Sequence, residues 1–263
     1  MGSALEATVT LPFEPEFNDE GNDCYNNVES CALYRMLPAN AREYVKESPH
    51  LLEYLHILPV NTVGIPLFLS ELKRDLKSME NPNIIYPVNE TTFIHIFPDP
   101  NDVRNWYIPI EPSFLHSVKE ILPVVEAKLI DMIDALDEEP VTEQARIEVL
   151  KNFIRQLVYV RQPDEAIDPS LLAGGTPKDF KERIKKFLTA DIGAPAKPQE
   201  RDPDHPLLAD GRVVLSQQEY KALEYLMIRD KIELGTLKPF LSDRYIEDIT
   251  CDGVGPIFIE HKI

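Results

Sequence analysis

The sequence has few of the residues that mark secreted or membrane-spanning proteins. It contains three cysteines and one tryptophan in 263 residues. An odd and small number of cysteines argues against a disulfide framework and indicates a reducing compartment. No apolar run reaches the roughly 18–20 residues of a membrane-spanning helix, and the N-terminus lacks the basic and apolar regions of a signal peptide. The sequence therefore predicts a cytoplasmic protein without a membrane span.

Basic residues are scarce, above all near the N-terminus, where Arg35 is the first. The chain has 27 Lys and Arg against 45 Asp and Glu, which gives a formal net charge of −18. A surface of this sign repels phosphate backbones, so the composition argues against nucleic acid as a partner. Acidic composition is also a common device for solubility.

Composition divides the chain into four parts. They are an acidic mobile tail at 1–25, an α+β domain at 26–191, a proline-rich linker at 192–206, and the start of a second α/β subdomain at 207–263. The tail and the linker lack apolar periodicity, and the linker contains four prolines, which is typical of a domain boundary. Because the last strand has too little chain around it to complete a sheet, we expect the second subdomain to be truncated.

The 26–191 domain is predicted as short helices followed by a small sheet. A helix over 41–46 is predicted with Asn40 as its cap, another starts at Ser48-Pro49, and the apolar spacing along 65–79 predicts a third. β-branched and aromatic runs then predict a three-stranded antiparallel meander. These runs span 83–88, 92–97 and 103–110. The predicted fold class is therefore α+β.

The 207–263 part begins with a clear helix signal. Ser216 and Glu219 form a capping box, and Gly235 closes the helix. Strands are predicted at 246–251 and 257–263, around a turn at Asp252-Gly253. Because a truncated sheet leaves unpaired edges, we expect residues 244–263 to be either poorly ordered or borrowed into an intermolecular contact. The alternative is that this end packs back onto the meander.

Searches for catalytic and nucleotide-binding motifs give no candidate. A phosphate loop needs Gly-x-x-x-x-Gly-Lys-[Ser/Thr], because backbone N–H groups must converge on the phosphates. The run from Gly174 to Lys178 has the wrong spacing, and Pro177 removes a donor. Neither a serine nucleophile elbow nor a His-Glu-x-x-His zinc motif occurs. We predict no catalytic or cofactor-binding residue in this chain.

Metal binding has two candidate pairs. Zinc sites need Cys or His at short spacing, and six residues separate Cys24 from Cys31, while five separate His50 from His56. The pairs can converge at a metal, or all four can be unligated side chains. Because nothing in the spacing enforces convergence, we predict no metal site.

Residues 225–253 resemble a signature of the secretion ATPase superfamily. In that family a helix ending near Arg-Asp leads to Gly-x-Leu/Ile-x-Pro-Leu and then to Asp-Pro-x-Ile-Glu-Asp-Ile-Ser-x-Asp-Gly. The matching residues here are Arg229, Gly235, Pro239, Asp243, Ile246, Glu247, Asp248, Asp252 and Gly253. The sequence departs from the family at Arg244, where Pro is usual, and at Lys238, where Asp is common. The resemblance is closest to the archaeal type II/IV secretion, pilus and archaellum motors.

A second, weaker similarity lies in the predicted meander. Tyr86-Pro87 followed by Tyr107 and Glu111-Pro112 is similar to an upstream Tyr-Pro … Tyr-x-x-x-Glu-Pro of the same family. The resemblance is strong over about 220–263 and fair over 83–115.

The resemblance implies a role without catalysis for this chain. In the family, the N-terminal region precedes a RecA-like ATPase domain with Walker A and B motifs, an Asp box and a His box, none of which occurs here. It implies the N-terminal docking and assembly region of a hexameric motor, whose partners are its own subunits and a membrane platform protein. ATP and Mg²⁺ are implied for the full-length protein only. The signature residues are then structural or form subunit contacts. The alternative is a stand-alone adaptor protein that shares only the C-terminal signature.

Overall fold

The fold is described from a computed structural model of the chain. It describes residues 11–16, 28–73, 76, 79, 81–99, 102–134, 136, 138–163, 165, 167, 205–253 and 256–262. The chain forms two compact units: unit 1 comprises Met1–Ser117 and Arg229–Ile263, and unit 2 comprises Val118–Ile228. The predicted α+β class is confirmed. Most of the predicted linker lies outside the described residues, so its role as a boundary stays a prediction.

Unit 1 begins with short helices. After a 3-10 turn at Val28–Ser30 come α1 (Ala32–Met36), α2 (Ala39–Glu47), α3 (His50–Ile57) and α4 (Val60–Val63). The prediction that Asn40 caps α2 is wrong. Pro38 occupies the N-cap without a side-chain hydrogen bond, so Asn40 lies inside the first turn and its Nδ2 donates to Ser70 Oγ at 3.3 Å.

A four-stranded sheet follows, in the order β1 (Leu67–Phe68), β2 (Ile84–Pro87), β3 (Phe93–Pro98) and β4 (Asn105–Ile110). The antiparallel pairing of β2 with β3 and of β3 with β4 confirms the predicted meander.

The helix predicted along 65–79 is wrong where its residues are described, because β1 pairs parallel with β2. The Leu67 N–H donates to Asn83 O, and the Leu69 N–H donates to Ile85 O, both at 2.9 Å. The edge of β2 thus supplies backbone partners that outweigh the helical spacing of the apolar residues.

The main core of unit 1 lies between the helices and one face of this sheet. The sheet contributes Ile85, Phe93, Phe97, Ile108 and Ile110, and α3 contributes Leu51, Leu52, Tyr54, Leu55 and Ile57. Residues 11–16, predicted as part of the mobile tail, also pack here. The Phe13 ring lies 5.3 Å from the ring of Phe97, and the Glu16 N–H donates to Ile57 O at 3.0 Å.

A polar chain is buried within this core. The Tyr54 hydroxyl lies 2.7 Å from Nδ1 of His95, and Nε2 of His95 lies 2.8 Å from Oδ1 of Asn83. Because the Asn83 oxygen can only accept, Nε2 donates to it and Nδ1 accepts from Tyr54. Burial lowers the pKa of His95 to about 3, so the imidazole is neutral at pH 7.

Unit 2 contains α5 (Leu122–Asp134), α6 (Glu143–Leu157) and a parallel pair of short strands, β5 (Val158–Val160) and β6 (Val213–Leu215). Helix α7 (Gln217–Lys231) starts in this unit, and its residues from Arg229 are grouped with unit 1. The predicted capping box is confirmed: the Ser216 N–H donates to Glu219 Oε2 at 2.7 Å, and the Glu219 N–H donates to Ser216 Oγ at 3.2 Å.

The C-terminal segment of unit 1 follows α7. A 3-10 turn at Gly235–Leu237 leads to α8 (Lys238–Ser242), then to the antiparallel strands β7 (Ile246–Cys251) and β8 (Ile257–His261). Gly235 and Gly253 have φ of 60° and 82°, the left-handed region that glycine adopts without strain. In the described parts of the chain, no helix is long and apolar enough to cross a bilayer.

Candidate functional site

Asp243 lies at the centre of a polar cluster on the sheet face opposite the main core. Its Oδ2 accepts hydrogen bonds from the Tyr86 hydroxyl at 2.5 Å and from the Tyr107 hydroxyl at 2.8 Å. Its Oδ1 accepts from the Tyr245 N–H at 2.8 Å. The carboxylate therefore ties the C-terminal segment to two strands of the meander.

The meander places both tyrosines on one face. Tyr86 of β2 lies opposite Ile94, and Tyr107 of β4 lies opposite Ile96. Because Ile94 and Ile96 are two residues apart on β3, all four side chains share a face. Tyr245 packs against this cluster, which is therefore covered by the C-terminal segment.

Aromatic rings surround the Asp243 carboxylate. His261 Nε2 lies 3.0 Å from the Tyr86 hydroxyl oxygen, and Tyr245 meets Tyr86 edge to face at 5.6 Å between centroids. The rings of Tyr107 and Phe240 stack at 5.5 Å. Since the Tyr86 proton is donated to Asp243, His261 Nε2 donates to the Tyr86 oxygen. The chain of donors therefore runs from His261 through Tyr86 to Asp243.

Electrostatics favour an ionised Asp243. Burial opposes the charged form, but the neighbouring His261 and hydrogen bonds from Tyr86, the Tyr245 N–H and Tyr107 offset it and hold the pKa of Asp243 below its ordinary value. His261 Nε2 lies 3.7 Å from Asp243 Oδ2, beyond hydrogen-bond range, so it acts through space. Burial and the adjacent carboxylate raise the pKa of both tyrosines, which stay protonated.

The arrangement around Asp243 is suited to holding two segments of the chain together and not to proton transfer. A general base needs a pKa near the working pH and a free lone pair directed at a substrate. The Asp243 carboxylate has a low pKa and already accepts three hydrogen bonds. The carboxylate therefore holds the C-terminal segment against the meander through these hydrogen bonds.

A second polar contact joins the same two parts of unit 1. Arg229, near the end of α7, donates from Nη1 to Glu111 Oε2 at 2.8 Å and from Nε to Asp230 Oδ1 at 2.7 Å. The Arg229 and Glu111 side chains are 10% and 13% exposed. A buried ion pair stabilises the fold only while both partners are present. Removing one of them leaves a buried charge without its counter-ion, which lowers the stability of the protein.

A cleft of about 350 Å³ opens beside Asp243. Its walls are Tyr44, the turn Pro87–Glu90 and the segment Ser242–Tyr245. The Arg244 side chain lies over the Tyr245 ring at 5.0 Å and donates to Glu71 at 3.2 Å. Arg244, at the position where the resembled family usually has Pro, therefore lies at the surface beside the cleft.

The predicted signature residues fall into three groups: buried side chains, turn glycines and residues of the β7–β8 hairpin. Arg229 and Asp243 are buried, and Pro239 is buried in α8. Gly235 and Gly253 occupy positive-φ turns. Ile246 is half-buried, whereas Glu247, Asp248 and Asp252 are exposed on the β7–β8 hairpin. The first group and the two glycines have structural roles. Within the described residues, the side chains of the hairpin acids form no hydrogen bond or ion pair, and the subunit contact that was the other prediction for them stays a prediction.

Metal candidates converge only in part. Cys31 Sγ lies 3.4 Å from Nε2 of His56, whereas His50 Nε2 donates to Thr91 O at 2.9 Å. Cys24 lies outside the described residues. Within the described ranges, no group of three or more Cys, His, Asp or Glu side chains is arranged to hold a metal ion.

Sequence reasoning missed the contribution of His261 and Tyr245. Neither has a local motif, and both reach the cluster through the packing of β7 and β8 on the meander. Tyr86, Tyr107 and Glu111 belong to the weaker of the two sequence similarities. The signal that could have found them is that both segments resemble the pattern of one family, which predicts that their residues are in contact.

Comparison with known proteins gives one informative match. An uncharacterized protein of Methanocaldococcus jannaschii is 30% identical over 230 residues, which cover 87% of this chain and 35% of that protein. The chain thus spans about a third of the length of this relative. No family model matches the chain.

Proposed function

We propose that this chain is the N-terminal docking and assembly region of a hexameric secretion or pilus-assembly ATPase of the archaeal type II/IV secretion, pilus and archaellum type. The observation that carries the proposal is the pairing of two sequence segments. Arg229 and Asp243, from the stronger signature, bind Glu111 and the two tyrosines of the weaker one.

This pairing supports the proposal because the two similar segments are far apart in the sequence. A chance match of short motifs carries no expectation that their residues touch. Here residues of one segment bind residues of the other, at Arg229–Glu111 and at Asp243 with Tyr86. A relative much longer than this chain is compatible with a motor that has further domains.

The division of labour follows from what the chain contains. Its 263 residues include no phosphate loop, so we assign no nucleotide contact to them, and ATP and Mg²⁺ belong to a separate catalytic domain of the proposed motor. This chain supplies contacts within the ring and to a membrane platform protein on the cytoplasmic side. The tight fastening at Asp243 suits a part that must transmit force without deforming.

Two measurements test the proposal. The coding sequence that follows Ile263 should contain Gly-x-x-x-x-Gly-Lys-[Ser/Thr] within a few hundred codons; a stop codon directly after Ile263 would favour the stand-alone adaptor instead. In the longer protein, Arg229→Met should lower ATP turnover and hexamer content while leaving the nucleotide Kd unchanged. Lys46→Met, which removes an exposed pair with Glu29, is the control. Equal turnover in both variants would contradict a mechanical role.

A further inference from the structure

The β7–β8 hairpin presents apolar and aromatic side chains to solvent. Ile257 and Phe258 of β8 are 39% and 43% exposed. The Arg104 guanidinium lies 5.3 Å from the centre of the Phe258 ring, so the residue before β4 contacts the hairpin. An exposed aromatic side chain beside an arginine is typical of the residues that dominate binding at protein interfaces.

The hairpin also has open backbone edges. Among the described residues, β7 and β8 pair only with each other. A two-stranded sheet is marginally stable alone, and an unpaired edge offers N–H and C=O groups to an added strand. The geometry therefore suits binding of an extended segment.

Like charges lie opposite each other on the β7–β8 hairpin and destabilise it. Asp248 of β7 lies directly opposite Glu260 of β8, and like charges in this position destabilise a strand pair. Glu247 and Asp252 add two exposed acids. The single lysine of the hairpin, Lys262, donates from Nζ to Arg244 O at 2.8 Å and lies at the far end. The hairpin thus has four acidic side chains against one lysine, and Arg104, which lies over Phe258, already pairs with Asp102 at 2.6 Å.

We propose that the outer face and edge of the β7–β8 hairpin bind an extended, basic segment of a partner polypeptide, and that this segment is a cytoplasmic loop of the membrane platform protein. The second part rests on the proposed function. Cytoplasmic loops of membrane proteins are enriched in Lys and Arg, which complement the Asp248–Glu260 pair. Phe258 supplies an apolar contact for a side chain of the added strand.

The same charges exclude other occupants. A second copy of the hairpin would bring Asp248 and Glu260 against equal charges, which is how natural edge strands avoid self-association. Anionic lipid headgroups and nucleic-acid phosphates are repelled by the same face. A basic polypeptide is the occupant that the charge pattern favours.

Fluorescence anisotropy of a dye-labelled peptide provides the measurement. The protein is titrated into a labelled ten-residue peptide alternating Lys and Val, under reducing conditions because Cys251 is exposed. We expect a saturable rise in anisotropy, an affinity that falls at least tenfold between 50 and 300 mM salt, and slowed amide exchange in β7 and β8. A peptide alternating Glu and Val should give no change.

Variants locate the contact. The double variant Asp248→Lys, Glu260→Lys should weaken the Lys-Val peptide at least tenfold. Glu143→Lys, Glu148→Lys, at exposed positions of α6, changes the net charge equally and should retain binding within twofold. Equal weakening in both double variants, dimer formation by the protein alone, or binding to anionic phosphatidylserine vesicles would overturn the proposal. If a phosphate loop is found downstream but the peptide does not bind, the docking inference fails while the proposed function stands.

Discussion

The Tyr86 hydroxyl donates to the buried Asp243 carboxylate at 2.5 Å, and this bond joins the meander to the C-terminal segment. Tyr107 donates to the same oxygen from the other side of β3. Two strands are thereby bound to one carboxylate, whose charge the surrounding donors stabilise.

Loss of either hydroxyl should be measurable as lost stability. Tyr86→Phe and Tyr107→Phe should each lower the free energy of unfolding by about 1.5–3 kcal/mol, the range for hydrogen bonds to charged groups. Tyr44→Phe is the control, because the Tyr44 hydroxyl has no hydrogen bond within the described residues, and it should change stability by less than about 0.5 kcal/mol. Urea denaturation measures all three, and equal costs for Tyr86→Phe and Tyr44→Phe would contradict the role of Asp243.

The Arg229–Glu111 pair should be costly to break from one side. Arg229→Met removes the ion pair of the largely buried Glu111 carboxylate, and we expect the free energy of unfolding to fall by about 3–5 kcal/mol. Lys46→Met removes a pair whose side chains are 61% and 72% exposed and should cost no more than about 1 kcal/mol. Thermal unfolding of both variants tests this; similar melting temperatures would be inconsistent with it.

His95 should make stability depend on pH. Burial holds its folded pKa at about 3, below the ordinary value of 6.5, so the unfolded state takes up a proton first as the pH falls. The contribution of neutral His95 to the free energy of unfolding is therefore complete above pH 6.5. It is lost as the pH falls toward 3, at about 1.4 kcal/mol per pH unit. His95→Gln should reduce this slope by that amount between pH 6.5 and 5. An unchanged slope in the denaturation midpoints would show that His95 is not buried neutral.

The capping box of α7 should contribute a smaller amount. Ser216→Ala removes the acceptor for the Glu219 N–H and should cost about 1 kcal/mol. Ser242→Ala serves as the control, because the Ser242 side chain forms no hydrogen bond in the described part of the chain. Amide exchange of the first turn of α7 should accelerate only in Ser216→Ala, and acceleration in both would exclude the cap as the cause.

Nucleotide binding should be absent from this chain. Its sequence has no run of glycines and lysine able to surround a phosphate, so titration with labelled ATP and Mg²⁺ should give no saturable signal. Micromolar affinity would show that nucleotide chemistry resides in residues that no motif reveals.

The elements that the sequence predicted correctly are those determined by residues close together in the chain. The meander follows from the β-branched and aromatic runs of β2, β3 and β4, and the cap at Ser216 from four neighbouring residues. The helix predicted along 65–79 failed because its apolar spacing competed with the backbone edge of β2, a partner distant in sequence. The main expectation for residues 244–263, disorder or an intermolecular contact, was wrong, because Asp243 and His261 bind the meander of the same chain. These contacts depend on three-dimensional proximity that the spacing of residues in the sequence does not contain.

The contact between Tyr86 and Asp243 also has a consequence in time. Its residues are 157 positions apart, and at 5–20 residues per second a ribosome needs roughly 8–30 s to make the chain between them. A helix or hairpin forms in microseconds. The residues of the meander are therefore synthesised many seconds before Asp243, which binds Tyr86 and Tyr107. Unit 1 cannot be completed before that segment has been translated.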